Sequence, residues 1–117
     1  MEANELRIGN LVEYLGDNWS MSSIFKDGPL ELVKNGTYKI ANISEFQPIE
    51  LTEELLLNFG FKWKNNGLRK SNFCLRNFGS SWSIFLSNES FNFNVELKYF
   101  HELQNLYFYI TGVEINY

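Results

Sequence analysis

Asn35-Gly36 stands between two short runs of aliphatic, aromatic and β-branched residues, Leu30–Lys34 and Thr37–Ala41. A two-residue type I′ turn needs positive φ at both central positions, and Asn-Gly accepts that geometry readily. A hairpin at this point commits the chain around it to narrow strand register. Further short runs flank it: Asn10–Leu15 before Gly16-Asp17-Asn18, Trp19–Phe25 before Lys26-Asp27-Gly28-Pro29, and Ile43–Ile49. Strands this short and this closely spaced predict a β-meander or an SH3-like barrel over residues 1–50.

Periodicity then changes. Residues 51–60 read as a helix, with Thr52 as N-cap, Glu53 and Glu54 at the positive end of the dipole, and Gly60 at the left-handed stop. Residues 61–95 return to strands, with turns at Asn65-Asn66-Gly67 and Phe78-Gly79-Ser80-Ser81. Phe91-Asn92-Phe93-Asn94-Val95 alternates at period two. In residues 98–111, Phe100, Leu103, Leu106, Tyr107 and Ile110 recur at helical spacing, and Gly112 ends the pattern. The fold class expected is α+β: an N-terminal β-meander or SH3-like barrel, a helix, an antiparallel sheet and a C-terminal helix. No linker or repeat interrupts the chain. It is expected to form one domain over 1–117, with a β module at 1–50 and an α-β-α module at 51–117 sharing one core.

The chain can fill a core. Of its 117 residues 44% are hydrophobic, including eleven Phe, six Tyr and three Trp. A net charge of −4 disfavours a generally basic nucleic-acid binder. Cys74, the one cysteine, lies between Phe73 and Leu75, which suits a buried free thiol in a reducing compartment. The opening Met1-Glu2-Ala3-Asn4-Glu5 has neither the basic nor the apolar stretch of a secretory signal. No apolar run approaches the length of a bilayer span. A cytoplasmic protein with no membrane partner is expected. The sequons at Asn18, Asn35, Asn42 and Asn88 are chance products of an Asn-rich composition.

Charge is segregated along the chain. Residues 1–54 carry ten acids and four bases, residues 55–88 five bases and no acid, and residues 89–117 four acids and one base. The central bases are Lys62, Lys64, Arg69, Lys70 and Arg76, interleaved with Phe61, Trp63, Phe73 and Phe78. Cations attract phosphate and aromatic faces stack on unpaired bases, so these five are the candidate partner- or nucleic-acid-binding residues. In a regular strand Lys62 and Lys64 share one face and Trp63 takes the other, which predicts Trp63 in the core. The plainer account of the alternating lysines is a wetted sheet face or a protected edge. The acidic N-terminal surface, with Glu2, Glu5, Glu13, Asp17 and Glu31, is a second place for a charged partner.

Catalytic signatures are weak. His101-Glu102 begins a His-Glu-x-x-His pattern, but Asn105 occupies the place of its second His. No phosphate-binding glycine loop occurs. No cofactor, metal or catalytic residue is assigned, and a non-enzymatic role is expected. On the C-terminal helix a core stripe of Phe100, Leu103, Tyr107 and Ile110 adjoins His101, Gln104, Asn105 and Phe108. Those four form a secondary contact face, unless the amides satisfy nearby backbone groups instead.

Three stretches carry a resemblance. Glu5-Leu6-Arg7-Ile8-Gly9-Asn10-Leu11-Val12 opens the chain. Pro48-Ile49-Glu50-Leu51-Thr52-Glu53-Glu54-Leu55-Leu56 with Gly60-Phe61 lies mid-way. His101-Glu102-Leu103-Gln104-Asn105-Leu106-Tyr107-Phe108-Tyr109-Ile110-Thr111-Gly112-Val113-Glu114 closes it. In this order they resemble a family of short, functionally unassigned proteins of Bacteroidota phages and prophages. An inhibitor of a type VI CRISPR nuclease is similar to that family. Residues 62–96 depart from the pattern, so the basic segment is particular to this chain. The resemblance implies a non-enzymatic phage accessory protein of the anti-defence (anti-CRISPR) kind. Such a protein would bind an RNA-guided nuclease and block guide or target RNA handling. The alternative is a small SH3-like nucleic-acid-binding module, and direct RNA contact is open under either.

Overall fold

The computed structural model describes residues 6–25, 29–64, 66–71, 73–79, 81–87 and 92–115. It is an α+β protein, with ten strands in two antiparallel sheets and two α-helices among the described residues. Two compact units divide it, one within 1–49 and 99–116, the other within 50–98.

In the first unit, β1 (Leu11–Tyr14), β2 (Asp17–Ile24), β3 (Leu30–Lys34) and β4 (Thr37–Ala41) run as a meander. Asn35 and Gly36 both have positive φ, 50° and 80°, as the type I′ hairpin requires. Between β1 and β2 the turn falls one residue earlier than the glycine suggested. Tyr14 pairs with Asp17, so Leu15 is drawn into the left-handed region at φ 52° beside Gly16. A register shift between Met21 and Ser23 marks a bulge in β2. Bulges bend a strand and raise its twist, which suits a sheet curved into a half-barrel. The segment 43–49, expected as a strand, is mostly not one. Ile43–Glu45 forms a 3₁₀ turn, and only β5 (Phe46–Gln47) pairs, beside β1. Leu6, Val12, Trp19, Met21, Leu30, Leu32, Ala41 and Phe46 fill the concave side.

Helix α2 (Phe100–Thr111) belongs to this first unit and ends at Gly112, whose φ is 74°. Glu102 accepts a bond from the backbone N–H of Tyr99 at 2.9 Å, so the acid of the His-Glu pair caps the helix start. Phe100, Leu103 and Tyr107 are buried as expected. Ile110, expected in the same stripe, is 39% exposed, because the last turn runs past the covered part of the helix.

The second unit starts with α1 (Glu53–Asn58). Thr52 Oγ1 accepts from Leu55 N at 3.1 Å. At the other end, Gly60 N reaches Leu57 O and Phe61 N reaches Leu56 O, closing the helix around a left-handed glycine. A five-stranded antiparallel sheet follows, in the order β10-β9-β8-β7-β6. Its strands are β6 (Lys62–Lys64), β7 (Gly67–Lys70), β8 (Phe73–Asn77), β9 (Trp82–Ser87) and β10 (Asn92–Leu97). One face holds the buried Leu68, Phe73, Leu75, Trp82 and Ile84, and Leu51, Leu55, Leu56, Phe59 and Phe61 of the helical segment are buried too. Cys74 is a buried free thiol.

Candidate basic interaction face

Strand register decides which of the five central cations meet. Lys62 pairs with Arg69 and Lys64 with Gly67 across β6 and β7. Arg69 pairs with Cys74 across β7 and β8, and Arg76 with Ser83 across β8 and β9. Residues paired across a ladder share a face, as do residues two apart in a strand. Lys62, Lys64, Arg69 and Arg76 therefore lie on one face of the second sheet, with Gly67, Cys74, Ser83 and Phe85. The same rule puts Glu96 on this face, on β10 at the far edge. Among the described residues none of the four cations makes an ion pair, whereas Arg7 and Lys34 each do.

The arrangement concentrates like charge. Residues directly opposite in an antiparallel pair have Cβ atoms about 5 Å apart, and like charges there are unfavourable. Lys62 and Arg69 stand in that relation. Arg69 Nε donates to Lys64 O at 2.8 Å, which fixes the guanidinium beside the lysine pair. The Arg76 guanidinium lies 5.2 Å from the centre of the Phe85 ring, a cation–π contact that holds it on the sheet. Small residues beneath make room. A Cβ on Gly67 would stand 2.5 Å from Cys74 Sγ and 3.6 Å from Arg76 Cγ. The glycine thus admits both the thiol and the arginine stem.

Lys70, the fifth candidate, is not part of this face. It lies on the opposite side of β7, where its Nζ donates to Phe59 O at 3.0 Å, at the C-terminal end of α1. A cation there satisfies an orphan carbonyl and the negative pole of the helix. Trp63, expected in the core, is 55% exposed. It lies on the side away from the lysines as its alternation requires, but β6 is an edge strand and carries it past the packed region. Its Nε1 donates to Glu53 Oε1 at 2.9 Å. Trp82 Nε1 donates to Leu51 O at 3.1 Å, so three bonds tie this side of the sheet to segment 51–59.

The four residues of the secondary contact face are placed differently. His101 and Gln104 are buried and offer no surface; His101 stacks on Tyr99 with ring centres 6.0 Å apart. Gln104 Oε1 accepts from Leu11 N at 2.8 Å, and its Nε2 donates to Gly9 O at 3.1 Å and Ile115 O at 2.8 Å. Asn105 Oδ1 accepts from Arg7 Nε at 2.9 Å and from Asn10 Nδ2 at 2.8 Å. Arg7 Nη1 donates to Glu114 Oε1 at 2.8 Å, and its guanidinium lies 4.4 Å from the centre of the Phe108 ring. Phe108 is 38% exposed, and Asn105 is half-buried. Residues from both ends of the chain thus form one polar clasp inside the first unit.

Of the acidic N-terminal candidates, Glu13 and Asp17 are exposed and Glu31 is half-buried. Asp17 Oδ2 pairs with Lys34 at 2.7 Å. Glu31 Oε1 accepts from Ser22 Oγ at 2.9 Å. Glu2 and Glu5 lie outside the described residues, as do the turn residues 26–28, Asn65, Ser80, the sequon Asn88 and Phe91. Among the described residues no group of three His, Cys, Asp or Glu side chains could hold a metal ion, and no helix is long and apolar enough to cross a membrane. No family model, curated protein or solved structure matches the chain.

Proposed function

We propose that this chain is a non-enzymatic phage accessory protein of the anti-defence kind. It binds an RNA-guided nuclease in the host cytoplasm through the cationic face of its second sheet and blocks guide or target RNA handling. The observation that supports this reading is the opposition of Lys62 and Arg69, joined by Lys64 and Arg76, none of the four ion-paired to an acid among the described residues. A fold that sets like charges side by side gains when a polyanionic surface covers them. The resemblance of residues 5–12 and 101–114 to phage proteins supplies the class of target. A purified type VI nuclease loaded with guide RNA tests it in a target-RNA cleavage assay. The wild-type protein should suppress cleavage. The Lys62→Glu/Lys64→Glu/Arg69→Glu variant, folded by circular dichroism, should need at least about tenfold more protein for the same suppression, a loss of about 1.4 kcal/mol. Unaltered cleavage at saturating wild-type protein would overturn the reading.

A further inference from the structure

We infer that the ligand of the cationic face is the phosphate backbone of single-stranded nucleic acid, contacted without sequence preference. This rests on the reading above, of which it names the contacted part: the RNA of the nuclease complex rather than an acidic patch on its protein. Two features of the face separate these ligands.

The first is what the face lacks. Tight protein interfaces are built around apolar anchors in a desolvated centre. The exposed large apolar residues described in the second unit are Leu57, Trp63 and Phe78. Leu57 is on α1 and Trp63 lies on the other side of the sheet, while Phe78, one residue past β8 with its N–H donated to Ser81 O, follows Arg76 at the end of the patch. On the cationic face the large apolar side chain described is Phe85, half-buried in contact with Arg76. A surface of cations over small residues, with one exposed aromatic at its end, offers a protein few anchors.

The second is spacing and support. Lys62 and Lys64 follow one another at two strand steps, about 6.7 Å, and Arg69 and Arg76 extend the charge across the next two strands. The cations form a patch rather than a single pocket, so they can neutralise successive phosphates of an extended chain. Guanidinium planes also stack on unpaired bases, and that contact is tolerant of sequence. Arg76, held over Phe85, has one plane supported by protein. Lys70 contributes nothing to the patch, because its charge is committed to the end of α1 on the other side.

Fluorescence anisotropy with a labelled oligouridine is the test, run beside capture of the purified guide-loaded nuclease with and without ribonuclease. Oligouridine should bind at low salt. The plot of log affinity against log salt should have a slope of about −3, as four neutralised phosphates on a single strand imply. Lys62→Gln/Arg69→Gln should halve that slope, and Lys70→Gln should leave it unchanged. Oligouridine binding with no capture of the nuclease would support this inference and overturn the proposed function. Ribonuclease-resistant capture with no oligouridine binding would do the reverse. A slope unchanged in Lys62→Gln/Arg69→Gln would overturn the assignment of the face.

Discussion

Arg7 in the first unit and Arg69 in the second are the same side chain put to opposite uses. Arg7 meets Glu114, Asn105, the carbonyl of Gln104 and the ring of Phe108. Arg69 has one bond to the carbonyl of Lys64 and stands opposite Lys62. The first guanidinium closes a network, and the second adds charge to a surface that already has it. Charge along a sequence therefore does not say where a binding face lies. What matters is which cations the fold supplies with partners. Lys70 makes the same point within one strand, since it and Arg69 are adjacent and serve different sides of the sheet.

The largest test of this contrast is at Gln104. It is fully buried, and each of its amide atoms is bonded to backbone that strands and helices leave unsatisfied. Gln104→Met keeps the length and removes the bonds. It should cost about 3–5 kcal/mol, because several buried backbone groups lose their partners together. Urea denaturation measures it, and a cost below about 1 kcal/mol would mean that the clasp is decorative.

Gly67 sharpens the second side of the comparison, where packing rather than hydrogen bonding sets the face. Gly67→Ala should destabilise by about 1–3 kcal/mol through collision with Cys74 Sγ. The penalty should shrink in a Cys74→Ala background, and a double-mutant cycle showing no coupling would remove the steric account.

The smallest effects separate the lysines. Lys70→Met should cost about 1 kcal/mol through the lost bond to Phe59 O. Lys62→Met, on the open face, should stay within about 0.5 kcal/mol of wild type. Equal thermal midpoints for the two variants would erase the distinction between a capping lysine and a surface one.

Much of the scaffold was legible because its signals are local. Asn35-Gly36, Thr52, Gly60 and Gly112 each need only a few neighbouring residues to act, and each does what its chemistry suggests. The lapses have physical reasons. Leu15 took a left-handed conformation because the pairing of Tyr14 with Asp17 left two residues for the loop, and ladder register outweighed the local preference of leucine. Ile43–Glu45 became a 3₁₀ turn although its residues suit a strand, and only Phe46 and Gln47 paired with β1. Trp63 kept its predicted side of the strand but not its predicted burial. Alternation assigns a side chain to a face, and says nothing about whether the core extends beneath that position.

The sequence by itself determined the order of elements, the hairpin and helix stops, and the clustering of five cations in one acid-free segment. Those follow from backbone preferences and composition, which act over a few residues. Tertiary structure alone decided that four of the cations share a face and the fifth caps a helix. It also decided that Gln104 of α2 turns inward to the backbone of Gly9, Leu11 and Ile115, while Asn105 meets the side chains of Arg7 and Asn10. Both outcomes depend on strand register and on which backbone groups are left without partners. These are properties of segments far apart in the chain, and they exist only once the sheets have formed.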